Sequence, residues 1–119
     1  MLLMETIYTE LHEFDIVDSA EEFSTVWCGK SKSWFAVQKN KGGDLSVAAA
    51  ITLMNYVKVR RALRLLKRKQ MGAILDDEIS LLATVIKRLD DYLLQSHNIL
   101  EVAETAVMVK IAQQAQAQL

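Results

Sequence analysis

The chain has 119 residues and a formal net charge of −1; 51% of the residues are apolar, none is proline, four are glycine and one is cysteine. That is the size of one globular domain, at roughly 100–200 residues per domain, and it leaves no room for a cofactor domain beside a catalytic one. The composition excludes collagen-like, disordered and disulfide-framed chains, and it disfavours a β-sandwich, which needs turn residues at short, regular intervals.

The charge is segregated along the chain. Residues 1–29 hold seven acids and no Lys or Arg, residues 30–69 hold eleven bases and one acid, and residues 70–119 hold seven acids and three bases. Such asymmetry predicts a basic surface on an otherwise acidic protein. No apolar stretch approaches the roughly 18–20 residues that cross a bilayer, and no basic segment leading into an apolar run marks a signal peptide. The expected location is the cytoplasm, with no membrane attachment.

Glycines and caps divide the chain into helices. Residues 2–14 place Leu3, Ile7, Leu11 and Phe14 on one helical face. Ser19-Ala20-Glu21-Glu22 fits a capping box, in which the Ser19 hydroxyl accepts from the Glu22 amide and the Glu22 carboxylate reaches back to the Ser19 amide. A second helix then runs through Phe23, Val26 and Trp27 to Cys28, and Gly29 ends it. Ser31 or Ser33 opens a third helix that Gly42-Gly43 stops. Asp44 or Ser46 opens a fourth, apolar in its first half and basic in its second, which ends at Gly72. Asp76-Asp77-Glu78 suits the N-terminus of a fifth helix.

That last segment, residues 77–117, has no breaker. Ile79, Leu82, Ile86, Leu89, Leu93, Ser96, Leu100, Ala103 and Val107 alternate spacings of three and four, which is a heptad seam with one polar position at Ser96. A straight helix of that length would reach about 60 Å at 1.5 Å per residue, so it breaks near Ser96-His97-Asn98 or packs against a second copy. The expected fold is all-α. Residues 1–71 form a helix-turn-helix bundle of about four helices, and residues 77–119 form a long C-terminal helix used for oligomerisation, the whole packed as one compact unit.

Phe23-Ser24 (apolar then small), Trp27 or Cys28 before the turn, Gly29 in it, Ser31 two residues on and Phe35 facing inward resemble the helix-turn-helix of Cro and repressor-like DNA-binding domains. Counted back from Gly29, the apolar-small pair stands one residue early, so the turn is one residue longer than the common form or the first helix is rotated. The pattern Glu22-Phe23-Ser24-x-x-Trp27-x-Gly29-x-Ser31-x-Ser33-Trp34-Phe35 is also similar to a family of small uncharacterised proteobacterial proteins, over residues 5 to 55.

The helix-turn-helix resemblance implies double-stranded DNA as partner. Lys32, Ser33, Trp34 and Gln38 would face base edges from the recognition helix, while Lys30, Lys39 and Lys41 would reach phosphates. Arg60, Arg61 and Arg64, within the basic run 58–69, extend the phosphate contacts; the alternative for that run is a solvated face, or pairing with acids of the chain's own first helix. Ile79, Leu82, Ile86, Leu89, Leu93, Leu100, Ala103 and Val107 would form the dimer seam that sets two reading heads on two half-sites. The alternative function is a helical protein-interaction module, an adaptor or anti-activator without DNA affinity, for which the apolar circumference of residues 99–112 speaks. Catalysis has little support. Cys28 lies in an apolar helix, His12 and His97 are isolated, and neighbouring helical acids such as Asp90-Asp91 point about 100° apart. No metal, cofactor or enzymatic activity is expected.

Overall fold

The computed structural model describes residues 2–97. It is all-α, with no strand among the described residues. Helix α1 spans Leu3–Glu13, α2 spans Ala20–Glu22 and continues as a π-helical turn over Phe23–Trp27, and α3 spans Trp34–Lys41. Helix α4 spans Val47–Met71, a 3₁₀ turn covers Gly72–Leu75, and α5 spans Asp76–His97. The chain divides into two compact units, residues 1–53 and residues from Met54 onward, with the division inside α4. No described helix is long and apolar enough to cross a membrane.

In the first unit, α1 buries Met4, Ile7 and Leu11. Phe14, expected on that face, is 55% exposed. The reason is local: α1 ends at Glu13, and Asp15 takes a left-handed conformation at φ 57°, which Asp tolerates better than most residues. The amides of Ile16 and Val17 then both turn back to the Leu11 carbonyl, at 2.9 and 3.3 Å.

The Ser19 cap forms as expected, its hydroxyl accepting from the Glu22 amide at 3.1 Å. The Glu22 carboxylate accepts from Asp18 rather than from Ser19, at 2.9 Å. That satisfies an amide one residue earlier than a standard capping box does. Val26, which the sequence reading placed along this helix, is 49% exposed, while Phe23 and Trp27 are fully buried.

Within the π turn the Cys28 amide donates to the Phe23 carbonyl, five residues back, at 3.0 Å. A π turn carries one more residue than an α turn. The surplus residue lies within the continuation of α2, between the Phe23-Ser24 pair and Gly29. Gly29 follows at φ 66°, a left-handed conformation that favours glycine, and a Cβ there would press on the Thr52 methyl at 3.3 Å.

Helix α3 closes at Gly42, φ 70°, where the Gly42 amide donates to Lys39 and the Gly43 amide to Gln38, at 3.1 and 2.9 Å. Of the two caps considered for α4, Ser46 is the one used: its hydroxyl accepts from Ala49 at 3.1 Å. Asp44 serves α1 instead. Its two carboxylate oxygens accept from the Leu3 and Met4 amides at 2.7 and 3.0 Å. Leu2, at the N-cap of α1, offers no side-chain acceptor.

In the second unit, α4 ends at Met71, next to the expected Gly72, and α5 carries Asp76, Asp77 and Glu78 in its first turn. Helix α5 buries Ile79, Leu81, Leu82, Val85, Leu89 and Leu93, and Ile86 is half-buried. Of the expected seam positions, Ile79, Leu82, Leu89 and Leu93 are thus buried within the chain itself, Val85 takes the inward place of Ile86, and Ser96 is exposed. Leu100, Ala103 and Val107, together with the apolar run 99–112, lie outside the described residues.

Candidate nucleic-acid interface

The helix-turn-helix candidate consists of α2 with its π turn, the Gly29 turn, and α3. An aromatic cluster supports it from beneath. Phe23 meets Phe35 edge-to-face at 5.6 Å and 89°, and Tyr8 packs on Phe23 and Phe35 at 5.6 and 4.8 Å. One polar bond fixes the two segments together. Ser24 is fully buried, and its hydroxyl accepts from the Phe35 amide at 3.0 Å. That amide lies in the first turn of α3, where it has no helical acceptor of its own. In sequence Ser24 is only the small member of a pair; its donor lies eleven residues away, so no local motif announces the bond. Replacing Ser24 by Ala strands the Phe35 amide and is expected to cost about 1–3 kcal/mol. Urea unfolding reads that loss, and a change below 0.5 kcal/mol would show that water replaces the hydroxyl.

Residues 30–43 carry four lysines and no acid. Lys30, Lys32, Lys39 and Lys41 are all exposed. Lys32 sits 3.7 Å from Glu21, with side chains 80% and 61% exposed; such a pair contributes little and is screened by salt. Ser33 precedes α3 as its N-cap, is exposed and makes no side-chain capping bond. Trp34 is half-buried and Phe35 buried, as adjacent helical positions require. Gln38 is half-buried and its amide leans on the Asp44 carbonyl at 3.4 Å. Val37 is 42% exposed on the same helix. The positions expected at base edges thus separate into exposed Lys32 and Ser33, half-buried Trp34, and a Gln38 drawn toward the following loop.

The expected phosphate contacts on α4 have partners in their own chain. Arg60 and Arg64 donate through Nε to the same Glu78 carboxylate oxygen, at 3.1 and 2.8 Å. Arg61 donates to the Ile79 carbonyl at 3.3 Å. Arg68 grips Asp76 through two nitrogens at 2.6 and 3.2 Å. That bond holds the Asp76 carboxyl below its ordinary range and the Arg68 guanidinium above its own. Part of the basic run therefore pairs with acids of its own chain at the start of α5. In sequence those acids mark only a helix N-terminus, because the pairing links positions 18, 14 and 8 residues apart.

Cys28 is 1% exposed, and burial pushes its thiol from 9.0 up to about 12, with Lys30 opposing. A thiol so protonated is a packing group and not a nucleophile.

The model of one protein family, described as a family of unknown function (DUF6626), matches residues 4–118. No curated protein and no solved structure matches the chain.

Proposed function

We propose that this chain, which belongs to the family of unknown function DUF6626, is a small DNA-binding transcriptional regulator that works in the cytoplasm as a homodimer and reads DNA through α3. The observation that carries this reading is the acid-free, four-lysine stretch 30–43 on a helix pair whose geometry is pinned by the Ser24–Phe35 bond. Lys32 and Ser33 face base edges, and Lys30, Lys39 and Lys41 contact phosphates. Two copies set two such helices on half-sites roughly 34 Å apart.

Fluorescence anisotropy with labelled duplex fragments tests it. Binding at about 50 mM salt should fall by about 10³–10⁵ at 200 mM if 6–10 phosphates are contacted. The double substitution Lys32→Ala and Ser33→Ala should reduce the preference among fragments. Lys39→Ala should weaken all of them alike and lower the salt slope by about one. Absence of binding at the lower salt would overturn the reading. Light scattering tests the dimer, which should have twice the 13.4 kDa of the chain.

A protein-interaction module is favoured by one observation, the exposure of Val26 and Val37 on this helix pair at 49% and 42%. A partner protein would cover them, whereas on DNA only an occasional thymine methyl would.

A further inference from the structure

Arg60 and Arg64 stand one turn apart on α4 and converge on a single oxygen of Glu78. All three side chains are only 20–25% exposed. Two guanidiniums around one carboxylate oxygen leave a formal charge of +1. Lys67 lies beside them along a groove of about 300 Å³ that Tyr56, Val59 and Leu63 also line. Glu78 belongs to the first turn of α5, so the positive end of that helix stabilises its charge whether or not it holds the arginines.

We infer that the Arg60–Arg64 pair is a binding site for a DNA backbone phosphate, occupied in the free protein by Glu78 acting as an internal surrogate for that phosphate. The inference rests on the DNA-binding reading above. A phosphate oxygen offers a guanidinium pair the same charge and acceptor geometry as a carboxylate oxygen. Exchange of one for the other therefore needs no new pocket. It also has a signature. A phosphate that takes both arginines releases a DNA counterion, but the vacated Glu78 carboxylate takes up a cation from solution. The exchange then contributes almost nothing to the salt dependence of the native protein. Nonspecific affinity is held down, and discrimination is left to α3.

The test is Glu78→Gln, which keeps the side chain's shape and removes its charge. Anisotropy is measured on a mixed-sequence 20-base-pair duplex between about 50 and 200 mM salt. The variant should bind about tenfold tighter at the lower salt, alike on all sequences, with a slope steeper by about one. If the native protein binds and the variant is no tighter, with an unchanged slope, Glu78 is only a strut and the inference falls while the DNA-binding reading stands. If neither binds, both fall. If the variant loses its helical circular dichroism, the native protein decides by the Nε–H resonances of Arg60 and Arg64. Joint movement of both on adding the duplex supports the exchange, and stationary signals in a protein that binds overturn it.

Discussion

Replacing Phe23 by Ala is expected to cost about 3–5 kcal/mol, the range for removing a fully buried aromatic side chain. Phe23 has no exposed surface and sits between Tyr8 of α1 and Phe35 of α3, with ring centroids 5.6 Å away in both directions. Its edge-to-face geometry with Phe35 adds about 0.5–1.5 kcal/mol to burial alone. The backbone enlarges the effect, because the Phe23 carbonyl accepts the bond that closes the π turn. The surrounding chain cannot collapse into the void without shifting the Ser24 hydroxyl from the Phe35 amide one residue along. Domains of this size have a total stability of about 5–15 kcal/mol, so the variant should be largely unfolded in moderate urea. Phe23→Leu should recover more than half of the loss by refilling volume. An Ala variant losing less than 1 kcal/mol would mean that the aromatic cluster does not hold α3 in place.

The parts of this fold legible in the sequence are those written in neighbouring residues. Ser19 with Glu22, Gly29, Gly42 and Gly72 each mark a boundary because a cap or a left-handed turn is decided within four residues. Nothing in the neighbouring residues marks the π turn that the 3.0 Å Cys28–Phe23 bond closes ahead of Gly29. Periodicity places Phe14 inward because it continues past the point where Asp15 turns the chain. Of the candidate site, the lysines at 30, 32, 39 and 41 were legible as charge without acids nearby. Gln38 was legible as a base reader by type, yet not its bond to the Asp44 carbonyl. The arginines of α4 were legible as a basic stripe, while Glu78 and Asp76 read equally well as a helix N-terminus; they serve as both. In each missed case the partner lay beyond the span of a helical turn, where spacing carries no information about which segments meet.

Asp44 is the furthest-reaching of these partners, and Asp44→Ala is the second substitution with a large expected effect, about 2–3 kcal/mol. The side chain accepts from Leu3 and Met4, 41 and 40 residues earlier, and from its neighbour Leu45 at 2.8 Å. It thereby supplies the acceptor that Leu2 lacks at the N-terminus of α1, and it places a carboxylate at the positive end of that helix. Hydrogen bonds to a charged group contribute about 1.5–3 kcal/mol each when partly buried. Water can reach the first turn of α1, so the sum is reduced toward the lower end. A local cap offers the internal control. Ser46→Ala removes one neutral bond to Ala49 and should cost about 1 kcal/mol. Asp44→Asn, which keeps an acceptor but no charge, should fall between the two. Urea midpoints order the three variants, and amide exchange should accelerate at both Leu3 and Met4 in Asp44→Ala, at one of them in Asp44→Asn and at neither in Ser46→Ala. A loss in Asp44→Ala no greater than that in Ser46→Ala would show that α1 is held by Met4, Ile7 and Leu11 alone, with the carboxylate contributing no more than solvent does.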